Sequence, residues 1–124
     1  MKKLCSITLG IAFCLIVLSG CAGDDAVQKV YEYMDKTLSI IETHKDNPAK
    51  AADEVNSYIT GIQSQLDKVI DEFENNTEKT KQLADKLKPL FEKQERLLTH
   101  NPGLRKNIRL QQALVIFEVL AYTE

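Results

Sequence analysis

The chain of 124 residues has no tryptophan, three prolines, five glycines and two histidines. So little glycine and proline leaves few places for tight turns, and no stretch alternates apolar and polar residues over a useful length. A sheet built from many hairpins is disfavoured on both counts. His44 and His100 form no His-x3-His or Glu-x2-His pair, which removes the ligand pattern of a di-metal helical site. Cys5, Cys14 and Cys21 make no Cys-x2-Cys-His, so covalent haem attachment is not encoded. Ser39, Ser57 and Ser64 lie in helical patterns without the glycines of a nucleophile elbow. Nothing in these residues assembles a catalytic constellation. The expectation is a protein that is not an enzyme and holds no metal or cofactor.

What the chain does have begins at its first residues. Lys2 and Lys3 precede an uncharged apolar run from Leu4 to Leu18, which ends in Ser19-Gly20-Cys21. Fifteen helical residues span roughly 22 Å, short of the ~30 Å hydrocarbon core of a bilayer. The run therefore reads as an export signal rather than a permanent membrane helix. Leu18-Ser19-Gly20-Cys21 resembles the lipobox of bacterial lipoproteins: a branched apolar residue, two small ones, then cysteine. The resemblance implies that residues 1–20 are removed and that the Cys21 thiol receives a diacylglyceryl group. Membrane anchorage through that lipid follows. The residue after the cysteine is Ala22 rather than aspartate. In a Gram-negative envelope this implies the periplasmic face of the outer membrane.

Cys5 and Cys14 leave with such a signal, so Cys21 becomes the single cysteine and an intrachain disulfide is excluded. Residues 21–25 form a short tether, and 26–124 form one domain held by packing. The precursor carries 16 basic and 18 acidic residues, and the loss of Lys2 and Lys3 makes the remainder more acidic. That balance argues against nucleic acid as a partner.

Beyond the tether, apolar residues recur at threes and fours. A first helix is predicted from about Asp25 to Thr43, with Val27, Val30, Tyr31, Met34, Leu38 and Ile41 on its inner face. Asn47 followed by Pro48 predicts an N-cap and first helical residue. The second helix would then run to about Glu74, with a heptad seam through Val55, Ile59, Ile62, Leu66, Val69 and Phe73. Gly61 inside it suggests close approach of another backbone. Asn75 with Glu78 predicts a capping box for a third helix using Leu83, Leu87, Leu90, Phe91, Leu97 and Leu98. Pro89 should kink or split that helix. Asn101-Pro102-Gly103 repeats the cap-then-proline signal and opens a fourth, to about Tyr122. The fold class is all-α: a small antiparallel bundle of four helices, or three plus an arm.

Two surfaces are candidates for function. In the fourth helix, Leu110, Ala113, Leu114, Phe117 and Leu120 make a core face, yet Ile108, Val115, Ile116 and Val119 are apolar on the other side. A helix apolar all round is either central to the fold or meets another chain. The second candidate is basic. Residues 24–78 hold 13 acids and 5 bases, whereas 79–124 hold 5 acids and 9 bases. Lys86, Lys88, Lys93, Arg96, Arg105, Lys106 and Arg109 could meet anionic lipid or an acidic partner, or complement the acidic half across the bundle. In size and class the chain is similar to small helical envelope lipoproteins, pilotin-type chaperones among them. The expected role is binding or assembly with an envelope partner or a second copy. Carriage of a small ligand inside the bundle is the alternative.

Overall fold

Apolar spacing of three and four residues carries through into six α-helices in the computed structural model, which describes residues 25–122. The proposed signal segment, Cys21 and the tether as far as Asp24 lie outside the described residues. Helix α1 spans Asp25–Thr43, α2 Pro48–Gly61, α3 Gln63–Phe73, α4 Thr77–His100, α5 Pro102–Lys106 and α6 Ile108–Tyr122. Among the described residues there is no strand. None of these helices is long and apolar enough to cross a membrane.

The inner face of α1 is the predicted one: Val27, Val30, Met34, Leu38 and Ile41 are buried, and Tyr31 is half-buried. It packs on α4, whose Leu83, Leu87, Leu90 and Leu98 are buried opposite. These two helices run parallel. The Lys86 ammonium lies over the Tyr31 ring in the middle of both helices, and Lys93 pairs with Glu42 further toward both C-termini. The pair with the broadest contact is thus neither consecutive nor antiparallel. Helix α6 packs on α2 and α4, and α2 also packs on α1.

Helix boundaries follow side-chain chemistry, with four differences from the sequence reading. The second helix is two helices. Ile62 leaves helical geometry at φ −104° and ψ 9°, directly after Gly61, and its N–H reaches back to both Tyr58 and Ile59. The heptad seam survives this break, because Val55, Leu66, Val69 and Phe73 are buried and Ile59 and Ile62 half-buried. Gly61 does not admit another backbone; a Cβ built on it would meet nothing within 4 Å. Close approach occurs instead at Gly103, where a Cβ would lie 3.0 Å from the Pro48 ring.

The cap of α4 is Asn76, not Asn75: its Oδ1 accepts from the Lys79 N–H at 3.1 Å. Asn75 adopts φ 59°, a left-handed turn that asparagine tolerates, and so ends the preceding segment. Asn47 caps α2 as predicted, accepting from Lys50 N–H, with Pro48 first in the helix. Pro89 does not split α4, which continues to His100; the proline ring is on the exposed side. The fourth predicted helix is also two. Asn101 turns its side chain back to donate to Leu97 O, α5 lasts five residues, and Asn107 accepts from Leu110 N–H to start α6.

Candidate functional site

Helix α6 starts from a sequence apolar on both faces, and the fold uses only one of them. Leu110, Leu114, Phe117, Leu120 and Ala121 are buried against α2 and α4. On the outside, Ile108 is 71% exposed, Val115 48%, Val119 53% and Tyr122 64%. Ile116, placed by the sequence pattern with the outer group, is half-buried and packs on the core. The outer residues step by seven, four and three, and exposed Gln112 fills the remaining heptad position. That is the spacing of a seam that a second helix could meet.

Tyr122 was not among the residues marked by the sequence. It joins the seam at i+7 from Val115, a spacing visible in the chain but masked by the tyrosine's position at the helix end. Its ring sits 5.8 Å from Phe91, tilted by 32°, and so bridges α6 to α4 and fixes the lower end of the stripe. Four side chains this exposed present on the order of 400 Å² of apolar surface, within the range of the largest patches on monomers.

The seven predicted basic residues do not form one surface. Arg105 pairs with Glu95 and also donates to Thr99 Oγ1, within its own half of the chain. Arg109 reaches Asp53 on α2 at 2.7 Å, Lys93 reaches Glu42 on α1 at 3.6 Å, and Lys86 covers Tyr31. Lys88, Arg96 and Lys106 are exposed. Lys79, outside the predicted set, bridges to Glu72 at 3.0 Å. Three of the seven, Lys86, Lys93 and Arg109, thus reach across to the acidic half, in line with the second of the two readings offered by the charge pattern.

The Glu95 carboxyl is held below the usual carboxylate range, first by the hydrogen bond from Arg105 and then by its positive charge. The Tyr58 phenol is pushed up, first by burial and then by the neighbouring Tyr33 and Glu32. Among the described residues, no group of three or more His, Cys, Asp or Glu side chains is placed to hold a metal ion. Cys21 lies outside the described residues. Compared with protein-family models, with curated proteins and with solved structures, the chain finds no match.

Proposed function

We propose that this chain is an envelope lipoprotein, anchored by lipid on Cys21, whose helical domain is a non-catalytic binding or assembly module. The observation that carries this reading is the heptad-spaced apolar stripe Ile108, Val115, Val119 and Tyr122 on the outer face of α6. We read the six helices as four rods, α1, α2 with α3, α4, and α5 with α6, with successive rods reversing direction. The stripe then runs along one side of the fourth rod, where an amphipathic helix of a partner can lie against it.

Area sets the kind of complex. A stripe of on the order of 400 Å² is about half of the ~800 Å² that each partner gives to a standard-size interface. A partner must also contact the polar flanks, or the complex is transient, as suits an escort or scaffold. Anchorage by Cys21 on the periplasmic face of the outer membrane, in a Gram-negative host, would confine the encounter to partners at that surface.

The test is crosslinking and co-purification of the native lipidated protein from its own membranes, followed by mass spectrometry. An envelope protein captured by wild type and lost with Val115→Asp is the expected result. Recovery of the same proteins with wild type and Val115→Asp would remove α6 from the interface.

A further inference from the structure

The C-terminal ends of α1 and α4 lie side by side because the two helices are parallel, and between them opens a cleft of about 390 Å³. Its walls carry Lys45, Lys93, Arg96 and His100, with Glu42 the single carboxylate among the lining residues. Lys93 and Glu42 are 3.6 Å apart, a long contact for an ion pair. The His100 Nδ1 lies 2.8 Å from Arg96 O. A carbonyl can only accept, so the ring proton is on Nδ1, which leaves Nε2 as an acceptor.

Basic residues at helix C-termini ordinarily offset the negative end of the dipole. Charge counting shows that this does not use up the cations present. Two helix ends supply about one negative charge between them, and Glu42 supplies another. Lys45, Lys93 and Arg96 supply three positive charges before His100 is considered. Among the lining residues a surplus positive charge therefore remains, in a chain whose net charge is −2. A planar guanidinium and two ammonium groups around one opening suit a tetrahedral oxyanion.

We infer that this cleft binds a phosphate group, carried by a small phosphorylated compound or by a phospholipid headgroup. The site is independent of the α6 stripe and stands whether or not that stripe docks a partner. Its position bears on the source. The cleft is at the far end of α1, whose 19 residues place it about 28 Å from Asp25. If Cys21 is the anchor, a headgroup of the same membrane meets the cleft only with α1 lying along the surface, whereas a free phosphorylated compound reaches it in any orientation.

The full chain in zwitterionic micelles, titrated with inorganic phosphate at constant ionic strength and followed by nitrogen-detected NMR, tests this. Saturable shifts at Arg96 Nε, His100 and the amides of Lys45 and Lys93 are expected. Lys45→Gln combined with Arg96→Gln should weaken binding at least tenfold. Both side chains are exposed, and the same spectra report whether the fold is kept. Lys88→Gln with Lys106→Gln, outside the cleft, should leave the affinity unchanged. Saturation by glycerol phosphate identifies a soluble ligand; a response confined to micelles doped with phosphatidylglycerol identifies a headgroup. Shifts that grow linearly on all surface bases alike, or wild-type affinity in the Lys45/Arg96 variant, would overturn the proposal.

Discussion

Thr37 and Gln94 are the buried polar side chains among the described residues, and they are treated differently by the fold. The Thr37 hydroxyl donates to Tyr33 O at 2.8 Å, one turn back, and is satisfied. The Gln94 Oε1 is shut away from water with no partner. A buried acceptor left unpaired costs about 1–3 kcal/mol. Gln94→Leu keeps the volume nearly constant and removes the orphan, so it should raise stability by about 1 kcal/mol in urea denaturation. A loss of stability would mean that the amide has a partner such as bound water. The position was legible: Gln94 is four residues from both Leu90 and Leu98, squarely on the buried stripe. Counting apolar residues passes over it because the side chain is polar. Glu95, its neighbour, faces solvent and shows a pH effect of opposite origin. Its carboxyl is lowered in the folded protein, first through the Arg105 hydrogen bond. The folded state therefore gains from this group above the ordinary carboxylate pKa and loses that gain as pH falls through the lowered value. Carboxyl-carbon NMR on Arg105→Gln should return the Glu95 midpoint to the ordinary range. A midpoint that stays low would point to a different cause.

At the scale of the helix, the sequence placed α1 at about Asp25 to Thr43 and named most of its buried face, because one strong amphipathic stripe runs through it without interruption. Ends decided by a single side chain were harder to read. Asn75 and Asn76 are adjacent and chemically identical, and only backbone geometry separates the one that turns from the one that caps. The breaks at Ile62 and Asn107 were missed because the apolar pattern continues through both, on α2–α3 by Ile59, Ile62 and Leu66, and on α5–α6 by Leu104 and Leu110. Gly61 offers a direct probe of the first break. Its φ is not positive and its Cβ space is open. Gly61→Ala should therefore stabilise the protein by about 0.5–1 kcal/mol through helix propensity and a less flexible unfolded chain, read as a higher urea midpoint. A lower midpoint would show that the break at Ile62 needs the glycine. On α6 the two faces should separate cleanly. Leu114→Ala removes a buried side chain and should cost about 2–5 kcal/mol. Ile108→Asp changes a side chain that is 71% exposed, and its stability should stay within about 0.5 kcal/mol of wild type. Ile116 is half-buried, so an aspartate there would confound the two effects.

For the whole molecule, the division of charge along the chain becomes a fastening across it. The ion pairs Lys79–Glu72, Lys93–Glu42 and Arg109–Asp53 join a base from the second half to an acid from the first. Solvent-exposed pairs contribute only about 0–1 kcal/mol each, so they favour this mutual placement of helices more than they stabilise it. The candidate sites were legible in part. The apolar excess of α6 was plain from composition, whereas which residues stay outside depended on how α6 settles against α2 and α4. The cleft was not legible, because Lys45 and His100 are 55 positions apart and meet through the parallel pairing of α1 with α4. The proposed attachment to a membrane rests on a different part of the chain. None of the described helices can span a bilayer, so a firmly held protein needs another anchor, and Cys21 after Leu18-Ser19-Gly20 is the proposed one. Each buried methylene of an acyl chain contributes about 0.8 kcal/mol, and two chains suffice for stable attachment. Wild type should thus stay in the membrane fraction through high salt and alkaline carbonate, and its intact mass should begin at Cys21 and include a diacylglyceryl group. Cys21→Ser should lack that mass and either leave the membrane or retain residues 1–20 uncleaved, which its N-terminal sequence would show. A Cys21→Ser protein with a cleaved N-terminus that fractionates as wild type does would move the anchor from the lipid to the protein surface, with the α6 stripe the first place to look.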